Sequence, residues 1–293
     1  MGLGIFAENK TVDGLVASAR DAAERGFGSF WTPQIFGLDA ITALSIVASE
    51  VPDIELGTAV IPTYPRHPMT LAAQALTLQQ ISGGRFTLGI GLSHQIVIEA
   101  MLGMSYDKPV RHLREYLSIL MPLAHGEGSD FAGETLTGKL ALDIPAEPLP
   151  VLVAALGAQM LRVAGTRTEG TVTWMTGPDT VENHVGPALR EAADAAGRPA
   201  PRIVSALPVC VTDDEAAARE FAGNAFAIYG HLPSYRAMLD REGAAGPADV
   251  AIVGDEKTVL AGIQRFFDAG ATDFVAVPFS NQEATLDVVA SLL

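Results

Sequence analysis

Short, almost wholly apolar runs alternate along this chain with longer segments whose apolar positions return at helical spacing. The clearest instance lies between Ile54 and His94. Two β-branched or apolar runs, Ile54–Ile61 and Phe86–Gly91, flank a helical stretch that opens on Pro68 and closes on Gly83-Gly84. Proline just inside a helix start and glycine just past its end is the favoured asymmetry. Strand, helix and strand joined by short connections form a βαβ unit, which requires a parallel sheet. The same alternation predicts further strands at Leu3–Ala7, Phe30–Thr32, Val151–Ala155, Gly170–Met175, Ile203–Val211 and Asp273–Pro278. Intervening helices are predicted from Thr11 to Gly26, from Asp39 to Glu50, from near Gln159 and from near Asp213. Eight strands alternating with helices predict a (β/α)₈ TIM barrel rather than an open sheet.

Insertions interrupt the rhythm after strands 4 and 7. The first follows His94 and holds a helix over Val110–Leu123 and a hairpin over Phe131–Asp143, alternating around Gly133 and Gly138. The second, Tyr229–Asp249, has no clean period. Insertions at strand ends cover a barrel's mouth. No linker or internal repeat breaks the chain, so residues 1–293 read as one domain.

Composition narrows the partners. With 293 residues, 48% of them hydrophobic and 18% charged, the chain has ample material for a large core. A formal net charge of −15 argues against nucleic acid or an anionic membrane, leaving a small-molecule substrate. No run approaches the ~18 apolar residues of a membrane span. The start, MGLGIFAENK, lacks a basic leader, and Phe6 stands where a myristoylation motif needs Ser or Thr. These features predict a soluble, cytoplasmic protein. The single cysteine, Cys210, sits in an apolar run and reads as a small core residue.

The stretch LGTAVIPTYPRHP (Leu56–Pro68), followed by ISGGRFTLGIGLS (Ile81–Ser93), resembles the signature of the bacterial luciferase-like superfamily. More narrowly, it resembles the oxidoreductases of that group that use the deazaflavin coenzyme F420. Pro150–Met175 and Val253–Val277 are similar to the group's later segments in the same order, so the resemblance spans most of the chain. It implies a homodimer and a cofactor ring held against main chain at the barrel mouth. It places a bulge with a cis peptide between Thr58 and Ala59, where small side chains let the ring lie close. It also implies cofactor contacts at Gly91, Leu92 and Ser93, at Ala154, Ala155, Leu156, Gly157 and Ala158, and at Thr173 and Trp174. Independently, a strand leading through small residues into a helix near Gln159 offers free N–H groups and a dipole for a phosphate, which Arg162 could reinforce.

Candidates for proton transfer are few. His94 follows a strand end and titrates near physiological pH. Gln34 stands where many deazaflavin relatives carry an Asp-His pair; it can hydrogen-bond but cannot act as a base at neutral pH. Glu8, at the end of the first strand, could orient substrate, and Arg66 and His67, in the loop after the third, could attract substrate or phosphate. The missing Asp-His pair disfavours sugar-phosphate oxidation and favours reduction of an activated C=C, C=N or C=O bond, with a hydride exchanged at C5 of the cofactor. Two other readings stay open: an FMN-dependent monooxygenase on the same barrel, and a non-catalytic flavin-binding member of the superfamily. Gly89-Ile90-Gly91 lacks the third glycine of a dinucleotide fingerprint. The six histidines are scattered without metal-site spacing, and no nucleophile elbow or P-loop occurs.

Overall fold

Eight parallel strands close on themselves. In chain order they are β1 (Gly2–Phe6), β2 (Ser29–Thr32), β3 (Glu55–Thr58), β4 (Phe86–Gly91), β5 (Val151–Val153), β6 (Gly170–Trp174), β7 (Arg202–Val211) and β8 (Asp273–Pro278). Hydrogen bonding runs β7-β8-β1-β2-β3-β4-β5-β6 and returns from β6 to β7, so the sheet is a closed (β/α)₈ barrel. The computed structural model describes residues 2–293. Among these, no helix is long and apolar enough to cross a membrane.

Helices α1 (Val12–Glu24), α2 (Ala40–Glu50), α3 (Pro68–Ser82), α4 (Pro109–Ala124), α5 (Ala158–Arg167), α6 (Gly186–Ala195), α7 (Glu256–Asp268) and α8 (Gln282–Ala290) surround it. Their starts are set locally: Thr11, Asp39 and Asp255 each accept a hydrogen bond from a first-turn N–H. Gly83 ends α3 in the left-handed conformation at φ 65°. On α1, Leu15, Val16, Ala19 and Ala22 form the stripe buried against the strands.

Alternation along the strands sends every second side chain into the cylinder. Trp31, Leu152, Val172, Val204, Ala206 and Val275 pack there as one apolar cluster. Gly57 is required opposite Trp31, because a Cβ would overlap the indole. At the amino-terminal end, Arg202 closes the cylinder by bonding Glu55 at 2.6 and 3.1 Å and Asp273 at 2.7 and 2.9 Å.

Three details depart from the sequence reading. The third run splits: β3 stops at Thr58, and Ile61–Pro62 resumes pairing with β4 through Ile61 and Ile90. The hairpin is Ser129–Ala132 with Thr137–Leu140, shifted toward the amino terminus. The aperiodic second insertion contains a helix at Pro233–Glu242, and beyond it Ile252–Gly254 adds a short strand beside β7.

The first insertion is pinned by one buried carboxylate. Glu115 on α4 accepts from the backbone of Glu134, Thr135 and Leu136 and from the Thr135 hydroxyl, all within 3.0 Å. Burial alone would raise this carboxyl, but four donors outweigh it and hold it at about 2, below the ordinary 4.5. A depressed native pKa contributes stability that is fully present above the unfolded value and lost as pH falls toward the native one. The thermal midpoint advantage of wild type over Glu115→Gln should therefore shrink between pH 5 and pH 2.5. An advantage constant across that window would refute the assignment.

Candidate active site

The site is built where β3, β4, β5 and β6 end. β4 pairs with both Ile61–Pro62 and β5, and the Ala154 N–H donates to Ile90 at 2.8 Å, so these strand ends are neighbours. A Cβ built on Gly91 would lie 2.6 Å from Val60 Cγ2 and 3.4 Å from Ala154 Cβ. The missing side chain of Gly91 therefore lets two other strand ends meet. Half-buried Phe6, Ala59, Val60, Ala154, Trp174 and Val277 cap the barrel's inner cluster, giving an apolar floor at the carboxyl-terminal mouth. Phe6 and Trp174 stack across it, centroids 6.5 Å apart at 17°.

One sequence expectation is corrected here: the cis peptide lies between Ala59 and Val60, not between Thr58 and Ala59. Thr58 is fully buried, and its hydroxyl accepts from Gly89 N and donates to Gly89 O, both at 2.9 Å. It stitches β3 to β4, and the floor is made by the next two residues. Thr173 is likewise displaced from the mouth. Val172 and Trp174 point inward, so alternation puts Thr173 on the outer face, where its Oγ1 lies 3.5 Å from Ser205 Oγ.

The remaining expected contacts fall into two groups. Gly91 and Leu92 are buried, and Ser93 adopts a left-handed φ of 59° with its carbonyl accepting from the Tyr106 hydroxyl at 3.3 Å. Tyr106 had no periodicity to announce it. On the other side, Ala154, Ala155 and Leu156 lead into Gly157, which starts α5 without any side-chain cap. His184 donates to the Leu156 carbonyl at 2.8 Å, and Thr171 Oγ1 donates to Val153 O at 2.8 Å, fixing this loop from behind. Ala158 opens the helix, and Arg162 on its exposed side makes no ion pair among the described residues.

Gln34 is committed elsewhere. Its Oε1 accepts from Ala40 N at 2.8 Å and lies 3.5 Å from Arg66, which pairs with Asp39. Burial would raise the Asp39 carboxyl, but bonds from Thr42 and Arg66 lower it. His67 caps α3 through Met69 N, and its Nε2 lies 3.1 Å from the Thr137 carbonyl, so both ring nitrogens are engaged. Glu8 is exposed at the rim. Cys210 is buried, and burial pushes its thiol up.

His94 sits against the second insertion. Its ring meets Tyr235 edge-on, 5.8 Å away at 61°, and burial holds its imidazole below the usual value. It is therefore neutral at pH 7, with one N–H donor and one acceptor. Tyr235 meets Tyr229 at 5.0 Å, and Trp174 meets both Tyr229 and Phe226 edge-on at 5.8 and 5.7 Å. These insertion aromatics cover the floor. Two of the chain's five tyrosines falling in one aperiodic segment was the available sequence signal. Elsewhere, a cavity of about 220 Å³ lies between the second insertion and α7. Its charges are spoken for: Arg219 bonds the carbonyls of Ala248 and Val253, and Arg265 pairs with Asp179 and Glu182.

A closed parallel barrel with an apolar, aromatic-covered mouth defines a small-molecule site rather than a macromolecular surface. The chain belongs to the luciferase-like monooxygenase family, whose model matches residues 2–273. Among curated relatives, a Mycobacterium tuberculosis protein provisionally named a coenzyme F420-dependent oxidoreductase is 31% identical, over 89% of this chain and 78% of its own. An F420-dependent glucose-6-phosphate dehydrogenase of Kineococcus radiotolerans is 27% identical, over 92% and 87%. Among solved structures, the coenzyme F420-dependent tetrahydromethanopterin reductase of Methanopyrus kandleri superposes with a TM-score of 0.83 at 21% identity, covering 99% of this chain and 97% of its own.

Proposed function

We propose that the chain is a coenzyme F420-dependent oxidoreductase that reduces an activated C=C, C=N or C=O bond of a small organic molecule. The observation that carries this reading is the apolar floor of Phe6, Val60, Ala154 and Trp174 placed beside the uncapped start of α5. A flat tricyclic ring needs the first and a phosphate-bearing tail the second. Relatives whose names state F420 dependence support the choice of deazaflavin.

The residues present fit that group. Trp174 Nε1 is buried, and the Tyr229 hydroxyl beside it makes no well-aligned hydrogen bond with it, so a ring carbonyl would satisfy this N–H. The main chain at Gly91, Leu92 and Ser93 would line one side of the ring, and Ala155, Leu156, Gly157 and Ala158 the tail. When bound, the deazaflavin supplies or accepts a hydride at its C5 carbon. The chain's share is to hold ring and substrate in contact, exclude water with the insertion aromatics and move one proton. His94, neutral and against Tyr235, would polarise the acceptor oxygen through its N–H and relay the proton that the cofactor releases. Gln34 orients the loop through Arg66 and Ala40, since its carbonyl is already used. Binding the cofactor requires the covering aromatics to part from the floor.

Titration with oxidised F420, followed by cofactor fluorescence, should saturate in the micromolar range or below, while FMN binds at least about tenfold more weakly. Tight FMN binding with oxygen-dependent product formation would overturn the assignment in favour of a monooxygenase.

A further inference from the structure

The wall above the floor, rather than the floor itself, bears on what the acceptor is. Resting on the deazaflavin reading above, we infer that the substrate is an uncharged ring compound with one hydrogen-bonding oxygen, such as a cyclic enone. In this inference Tyr229 and Tyr235 are the residues that select it.

The first argument is shape. Tyr229 contacts both Trp174 and Tyr235 edge-on, at 77° in each case, and Tyr235 in turn contacts His94. The chain of rings thus crosses from the end of β6 to the end of β4, over the floor. Once the lid has parted to admit the cofactor, these ring faces and edges would bound the remaining space with surface suited to a flat apolar ring. A flexible polar substrate would instead strand its hydroxyls against these edges.

The second argument is charge. Arg66, the cation at the end of β3, is held by Asp39 and Gln34. Arg236, next to Tyr235, is held by Asp240 and by the carbonyls of Ala244 and Ala245. The charge that reaches Tyr229 is the carboxylate of Glu8. A phosphate carried into this space meets a like charge, and neither of these two arginines is free to neutralise it, in a chain of net charge −15.

The third argument is the donor set. Burial pushes both tyrosine hydroxyls above their ordinary range and the His94 imidazole below its own. All three are neutral at pH 7, able to bond a carbonyl oxygen but not to neutralise an anion. The helix that carries Tyr235 is held at its far end by a latch. Glu242 accepts from the Thr180 N–H at 2.7 Å, the Thr180 hydroxyl at 2.6 Å and the Asp179 N–H at 3.1 Å. Reduction of an enone then balances simply. The group would supply one hydride and release one proton on oxidation, His94 would pass that proton on, and the C=C bond would gain both.

The test is calorimetric titration of the F420-loaded protein with 2-cyclohexen-1-one and, separately, glucose 6-phosphate. Binding of the enone without binding of the sugar phosphate is expected. Tyr229→Ala and Tyr235→Ala should each weaken the enone by about tenfold, measured in protein saturated with F420 so that any change in cofactor affinity does not enter the comparison. Tyr229→Phe and Tyr235→Phe, which keep the ring and the fold, should lose about threefold, the share of the hydroxyl. Sugar-phosphate binding, or enone affinity untouched in all four variants, overturns the inference while leaving the cofactor reading intact. If F420 itself fails to bind, that reading falls on its own assay. The inference, which rests on it, falls with it.

Discussion

Arg202→Ala should lower the thermal midpoint by on the order of 10 °C, the largest stability effect expected of any single charge in this barrel. The guanidinium bonds Glu55 from β3 and Asp273 from β8 and lies 5.7 Å from the Trp31 ring centroid. One side chain therefore ties three strands across the cylinder's amino-terminal end. Burial works against its charge, but both carboxylates outweigh that and hold its pKa above the usual guanidinium value. Truncation leaves two carboxylates facing each other beside an apolar cluster, and removing one partner of such a buried network costs about 3–5 kcal/mol. For a protein of this size that corresponds to roughly 2–4 °C per kcal/mol. The companion measurement is the triple variant Arg202→Met, Glu55→Gln, Asp273→Asn. With no stranded charge, it should recover most of the loss. A single variant within about 2 °C of wild type would mean that solvent screens the network.

The barrel was legible because its strands are buried on both sides. A parallel strand between helices and a filled cylinder has no polar face, so it reads as an uninterrupted apolar run. Thus β4, β7 and β8 stood out from their neighbours, as did the proline and glycine that bracket α3. The two insertions were legible as breaks in that rhythm. What they contain was not. The helix at Pro233–Glu242 has a strongly polar outer face and buries only Met238 and Leu239 fully, too little to mark a period. The extra strand Ile252–Gly254 is three residues long, below the length at which alternation carries information.

The strand-end geometry was legible to about one position. The small-residue pattern located the joint after β3, yet the cis bond and the floor fell on Ala59-Val60 because Thr58 turns away to bond Gly89. A period-2 element makes such a shift consequential, since one residue exchanges the inward and outward faces. The same parity takes the Thr173 side chain off the mouth and puts Trp174 on it. Gln34 illustrates a different limit. Its place after β2 was readable, but its use as a brace for Ala40 and Arg66 depends on a loop two elements away. Tyr229 and Tyr235 left only a compositional trace for the same reason: their contacts with Trp174 and His94 exist only once the second insertion folds back.

Gly91→Ala should reduce F420 affinity by at least about tenfold while shifting the thermal midpoint little. The added Cβ would stand 2.6 Å from Val60 Cγ2, well inside contact distance. Val60 is β-branched and cannot relieve this by a small rotation. Its cheapest escape is upward, off the barrel's packed inner cluster and into the space above the floor, where the ring must lie flat. Backbone strain is not at issue, because Gly91 lies outside the left-handed region. The clash predicts its own cure. Val60→Ala removes the struck methyl, so the double variant Gly91→Ala, Val60→Ala should bind F420 within about threefold of Val60→Ala alone, recovering most of what Gly91→Ala loses. Such a sign of coupling between neighbours is what a double-mutant cycle isolates. Cofactor fluorescence reads affinity without turnover, so the result does not depend on knowing the substrate. Unchanged binding in Gly91→Ala would place the ring somewhere other than this floor. A double variant as weak as the single would mean that Gly91 acts through its own backbone contact and not through Val60.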